Sequence, residues 1–271
     1  MIELEKARHR LAELGLNQAA QSLDAVLEAA GRHQSTYLSF LNELLETEIQ
    51  ERQRRNVEVR MKLSHLPYRR TLEEFDFSFQ PGIDERLIRE LAGLTFVGRH
   101  ENVLFLGPPG VGKTHLAVAI AMEAIAQGLS VYFVSLTQMV NDLRRAYEEN
   151  RLDRRVRIYL RPRLLIVDEV GYLPLDPTAA NLFFQLVSAR YERGSMILTS
   201  NKSFSEWGEL MGDPVLATAV LDRLLHHCHV INIRGNSYRL KDKLKTGIYS
   251  TPSAQVGQNY SGASGSNEFR R

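Results

Sequence analysis

The chain has 271 residues, 44% of them hydrophobic and 24% charged, with a net charge of +2 and a single cysteine, Cys228. That suffices for a sizeable core, in one large domain or a core domain with appendages, and the charge is too mild to announce nucleic-acid binding outside local clusters. One cysteine excludes an intrachain disulfide framework and fits a reducing cytoplasm, no apolar run of about 18 residues marks a membrane span, and the mixed-charge start MIELEKARHR is unlike a signal peptide.

Residues 1–68 are expected to form an N-terminal helical region. Leu11, Leu14, Leu23, Val26 and Leu27, then Leu38, Leu41, Leu44, Leu45 and Ile49, recur at three- and four-residue spacing, with Gly15 and Gly31 as punctuation. The segment RRTLEEFDFSFQPGID at 69–84 breaks that pattern with Phe75, Phe77, Phe79 and Pro81-Gly82, and marks the junction to a second region, 69–245. There, apolar runs at 102–107, 130–136, 163–169, 195–201 and 228–235 alternate with helical patterns. Runs apolar on both faces and separated by helices predict an α/β domain, with a parallel five-stranded sheet between helices. Asp176-Pro177 and Asp213-Pro214 each put an N-capping carboxylate before a first-turn proline, and Gly194 is expected to end the helix begun at 177. Residues 246–271, rich in Ser, Gly, Asn and Gln, read as a disordered tail.

The strand-like run NVLFLG opens into Gly107, Pro108, Pro109, Gly110, Val111 and Gly112, then Lys113, Thr114 and His115 at the start of a helical pattern. This is the spacing Gly-x-x-x-x-Gly-Lys-Thr in a strand-to-helix context, the arrangement of a P-loop. Glycines let backbone N–H groups turn toward phosphate oxygens, and the helix that follows adds its positive end. Lys113 is expected to reach the β- and γ-phosphates of ATP, and the Thr114 hydroxyl to ligate Mg²⁺. Farther along, LLIVDE ends in Asp168 and Glu169. In P-loop logic Asp168 holds a water of the Mg²⁺ shell, while Glu169 orients and polarises the water that attacks the γ-phosphate. Asn201 closes the run ILTSN, where it could meet the same water from a neighbouring strand.

These elements, in this order, resemble the AAA+ type of P-loop NTPase over residues 70–240, with Gly107 to Thr114 as Walker A, Asp168 and Glu169 as Walker B and Asn201 as sensor 1. The resemblance implies a site at a subunit interface, completed by an arginine of the next protomer; Arg223 in VLDRLLHHCHV is the match. The segment 141–163 holds eight arginines against four acids, and resembles the insertion that marks the initiator and helicase-loader clade. Only 37 residues follow Arg234, which leaves the usual helical lid truncated or absent. With GNSYR at 235–239 and the N-terminal helices, the chain looks like the IstB family of bacterial transposition helper ATPases, related to DnaC-type helicase loaders. That resemblance implies a cytoplasmic, DNA-stimulated ATPase that oligomerises on duplex DNA, remodels it, and recruits or stimulates a transposase. It also implies N-terminal helices that serve oligomerisation or partner binding, and Arg239 near the nucleotide in the role of a lid arginine.

DNA contacts are expected from arginine and lysine offered to phosphates. Three clusters qualify: Arg52, Arg54, Arg55, Arg60 and Lys62; Arg144, Arg145, Arg151, Arg154, Arg155 and Arg157; and Lys241, Lys243 and Lys245. A solvated helix face is the other meaning of such a run. The run His226-His227-Cys228-His229 is read as packing around the last strand, because neighbouring side chains there should diverge and no second ligand pair follows. Three rival functions remain: a helicase loader preferring single-stranded DNA, a P-loop kinase for a small acceptor, and a structural filament in which ATP serves as glue.

Overall fold

The computed structural model of the chain describes residues 2–240. Lys241, Lys243, Lys245 and the expected tail at 246–271 lie outside the described residues.

The N-terminal region is helical, with α1 (Ile2–Glu13), α2 (Asn17–His33) and α3 (Tyr37–Leu63). Ala19, Leu23, Val26 and Leu44 are buried in a small cluster of their own, whereas Leu14, Leu27, Leu38, Leu41, Leu45 and Ile49 stay exposed. Gly15, at φ +72°, turns the chain after α1. Gly31 does not punctuate as expected: α2 runs through it to His33 and closes on Gln34, whose backbone is left-handed and whose N–H returns to the last helical carbonyls. The N-terminus of α2 has no cap of its own, and Glu48 of α3 supplies one, accepting from Gln18 N at 2.8 Å and Ala19 N at 3.2 Å. Burial alone would raise the Glu48 pKa; those two N–H groups and Arg52 outweigh it and hold the carboxyl below its usual range.

α3 continues onto the second region, where Val57, Met61 and Leu66 pack against its core. The junction leads into α4 (Glu85–Ala92) and α5 (Thr95–Gly98), followed by β1 (Asn102–Leu106), α6 (Lys113–Ala126), β2 (Val131–Ser135), α7 (Leu136–Glu148), α8 (Leu152–Leu160) and β3 (Leu164–Val170). The rest is α9 (Pro177–Arg190), β4 (Ser195–Ser200), α10 (Trp207–Met211), α11 (Pro214–Leu225) and β5 (Cys228–Asn232), with a last turn at Tyr238–Leu240. The five strands are parallel in the order β2-β3-β4-β1-β5. Their apolar residues alternate between two cores: Leu104, Leu165, Val167 and Leu198 on one face, Val103, Phe105, Ile166 and Ile197 on the other. Both faces are thus covered, as continuous apolar strands require. Phe133 N donates to Ser64 O at 2.8 Å, so the end of α3 shields the outer edge of β2.

Asp176 and Asp213 cap α9 and α11, the first accepting from Ala179 N and the second from Val215 N and Leu216 N. α9 ends at Arg190, four residues before Gly194, and a turn at 191–193 intervenes. Arg190 explains the early stop, because its guanidinium turns inward and donates to Tyr159 O (2.8 Å), Pro162 O (3.1 Å) and Ser195 O (2.7 Å). It binds the end of α8 to the start of β4, and burial pushes its pKa down to about 10. Among the described residues no helix is long and apolar enough to cross a membrane.

Candidate nucleotide site

A parallel sheet presents its carboxyl-terminal strand ends on one edge, and β1 and β3 deliver Gly107 and Asp168 there. The loop 107–112 wraps from β1 into α6. Gly110 (φ +83°) and Gly112 (φ +102°) are left-handed, and a β-carbon at either position would strike Ser237 Oγ or the Phe75 ring. Pro108 and Pro109 are exposed and Val111 is buried beneath the loop. Lys113 Nζ donates to Gly107 O at 2.7 Å and Pro108 O at 2.8 Å, so the ammonium lies inside the curl of the loop. Burial depresses the Lys113 pKa; Asp168 opposes that shift and Arg239 adds to it. A phosphate beside this ammonium would favour its charged form.

Thr114 Oγ1 donates toward Asp168 Oδ1 and Oδ2 at 3.0 and 3.3 Å. A hydroxyl and a carboxylate at the foot of a phosphate-binding loop form a hard oxygen donor pair, the chemistry that suits Mg²⁺. Thr199 Oγ1, from β4, also donates to Asp168 Oδ1 and accepts from Glu169 N. Glu169 is exposed and follows Asp168 with φ +59°. Asn201 is exposed just past β4, its amide oxygen beside Gly171.

The adjoining cleft, of about 540 Å³, runs from the loop to Tyr68, Phe75, His115, Tyr238 and Arg239. Its floor comes from the junction: Phe75 stacks edge-on against His115, whose Nε2 lies 2.9 Å from Thr71 O. Its rim is the strap after β5. Tyr238 N donates to Gly110 O at 2.9 Å, and buried Gln80 donates through Nε2 to Asn236 O at 2.8 Å. Phe75, Gln80, Tyr238 and Thr199 were not among the residues expected at the site. FDFSFQ in the junction was their available signal, together with the position of Thr199 two residues before Asn201.

Arg223 lies on α11, outside this cleft. Its guanidinium covers the Phe184 ring at 4.8 Å and donates to Ala219 O, and it forms no ion pair with Asp222 or any other acid among the described residues. The expected basic clusters differ in their partners. Arg52 pairs with Glu48, Arg54 with Glu51 and Glu58, and Arg55 with Glu51. In 141–163, Arg144 pairs with Asp176, Arg151 with Glu149 and Arg155 with Asp142, while Arg145, Arg154 and Arg157 are exposed with no acid pair among the described residues. Arg145 and Arg154 line a pocket of about 390 Å³ between α7 and α8.

The histidine run departs from expectation. The His226 and His227 rings converge, 4.1 Å between centroids, and both face Glu192, with Nδ1 and Nε2 at 4.0 and 3.6 Å. The tight turn out of α11 folds one ring over the other instead of fanning them apart. His229 pairs with Glu101 at 2.9 Å, and burial pushes the Cys228 thiol up to about 12.

A five-stranded parallel sheet with a glycine loop between β1 and α6, and a carboxylate at the end of β3 bonded to the loop threonine, defines a P-loop NTPase of the AAA+ type. The fold is that of AMPPCP-bound DnaA from Aquifex aeolicus, at a TM-score of 0.51 and 23% identity over 70% of this chain and 59% of that one. More particularly, residues 9–246 match the family of IstB-like ATP binding proteins, and the chain belongs to it. It is 54% identical over 230 residues to a protein named for ATP binding in insertion sequence IS5376 of Geobacillus stearothermophilus, which covers 85% of this chain and 92% of that one. It is 50% identical over 238 residues to its counterpart in insertion sequence IS21 of Pseudomonas aeruginosa, covering 88% and 90%.

Proposed function

We propose that this protein is a cytoplasmic ATPase that helps an insertion sequence move: it assembles on duplex DNA with ATP, remodels the duplex, and recruits or stimulates a transposase. The Thr114–Asp168 hydrogen bond at the foot of the loop carries the reading, in a chain whose relatives are named for ATP binding in insertion sequences. ATP enters with its phosphates on the N–H groups of Gly110 to Thr114. Lys113 exchanges the carbonyls of Gly107 and Pro108 for the β- and γ-phosphate oxygens. Thr114 would hold Mg²⁺ directly and Asp168 would hold it through a water; when bound, the ion neutralises charge on the phosphates. Glu169 takes a proton from water as the water oxygen bonds the γ-phosphorus. The bond from that phosphorus to the bridging oxygen breaks, and ADP and phosphate leave. Asn201 meets the same water from the end of β4, and Arg239 on the strap stands over the phosphates.

Arg223 acts in the site of the next protomer, where its planar cation offsets charge on the transferred phosphoryl group. That no acid among the described residues pairs with it supports this role. Arg223→Ala is expected to lower phosphate release about a thousandfold while ATP still binds the isolated protomer with unchanged affinity. Full turnover in that variant would remove the interface from the account.

Arg145, Arg154 and Arg157 are the first choice for phosphate contacts, since no acid among the described residues pairs with them, with Arg144 and Arg155 beside them. Arg52, Arg54 and Arg55 already answer to acids on their own helix, and are the weaker candidates. Phosphate release measured with duplex and with single-stranded DNA tests the partner: duplex is expected to stimulate more. Preference for single strands would point to a helicase loader, and phosphate release without any acceptor rules out a kinase.

A further inference from the structure

β3 breaks its pairing with β4 at the two acids. Val167 pairs with Leu198 and Val170 with Ser200, so Asp168 and Glu169 together face one residue, Thr199. This is a β-bulge, a device that re-aims side chains beside active sites. In a regular strand the two carboxylates would leave opposite faces of the sheet. Here Glu169 takes φ +59°, a backbone state that a non-glycine residue keeps only where its surroundings hold it.

Thr199 supplies the hold. Its hydroxyl accepts from Glu169 N at 3.0 Å and donates to Asp168 Oδ1, and the residue is 1% exposed. One oxygen thereby fixes the backbone of Glu169 and the carboxylate of Asp168. A hydroxyl is the smallest side-chain group that can donate and accept at once. Thr114 approaches the same Asp168 carboxylate from the loop, so the bulge also sets where Asp168 meets the phosphate cradle.

We propose that Thr199 is a positioning residue for ATP hydrolysis, holding the bulge that turns Glu169 toward the attacking water and Asp168 toward Thr114. The proposal rests on the ATPase reading above. Three variants of the full chain separate the two claims: Thr199→Val, which removes the hydroxyl at nearly constant shape, Thr199→Ser, which keeps it, and Glu169→Gln. Phosphate release with duplex DNA gives kcat, and titration with a fluorescent ATP analogue gives affinity. Thr199→Val is expected to lose about 10- to 100-fold in kcat, with ATP affinity within about threefold of the parent chain and Thr199→Ser close to it. If the valine variant does not fold, Thr199→Ala removes the same hydroxyl and takes its place. A parent-like kcat in Thr199→Val overturns the proposal, as do equal losses in the valine and serine variants, or loss of ATP affinity in step with kcat. Absence of phosphate release from the parent chain would bring down the ATPase reading, and unchanged turnover in Glu169→Gln would bring down the role of Glu169 and this role with it; turnover lost there but kept in Thr199→Val overturns the Thr199 role alone.

Discussion

Lys113→Ala is expected to lower ATP affinity about a hundredfold. The ammonium is half-buried in the loop, held by two carbonyls that offer it no formal negative charge. Burial already depresses its pKa, with Asp168 the charge that opposes the shift. A triphosphate supplies what the carbonyls lack, and charge-assisted hydrogen bonds are worth about 1.5 to 3 kcal/mol each. Losing about 3 kcal/mol corresponds to roughly two decades in Kd. Lys113 packs at the start of α6 with its head group inside the loop, so removal should leave the fold intact. Titration with a fluorescent ATP analogue, alongside thermal melting without nucleotide, separates the two effects. Affinity within about threefold of the parent chain would show that the loop holds phosphate without its lysine.

Glu169→Gln is expected to bind ATP normally and to lose about 10²- to 10⁴-fold in phosphate release, the range for removal of a general base. Glutamine matches glutamate in size, and residue 169 contributes only its backbone N–H to the bond with Thr199 Oγ1, so the bulge survives. What disappears is the carboxylate that accepts the proton of the attacking water. We propose further that hydrolysis releases the assembly, so assemblies formed with ATP on duplex DNA should persist in this variant. Decay of DNA-bound material after dilution measures that persistence. Decay as fast as in the parent chain would separate disassembly from hydrolysis.

The strands and the phosphate loop were legible because both are local. An apolar run of five to seven residues needs no distant partner to be recognised, and the glycine-lysine-threonine spacing encodes its own turn. Strand order was not legible, since it depends on pairings such as Asn102 with Cys228, far apart in sequence. The bulge at Asp168–Glu169 escaped for the same reason: it exists only in register with Thr199, and LLIVDE alone reads as an unbroken strand. Asn201 attracted notice as the polar residue at the end of its run, yet the hydroxyl bonded to both acids stands two residues earlier. The arginines of α3 were a different case. Their pairing was present as Glu51 three and four residues before Arg54 and Arg55, a spacing that brings charges together on a helix. The pairing of Arg144 with Asp176 and of Arg155 with Asp142 required the tertiary fold.

The central claim is that ATP controls assembly of this protein on duplex DNA. Electron microscopy of Glu169→Gln mixed with duplex DNA and either ATP or ADP tests it most directly. The account predicts regular multi-subunit assemblies on the duplex with ATP and bare duplex with ADP. Single protomers with ATP, or the same assemblies whichever nucleotide is present, would contradict it.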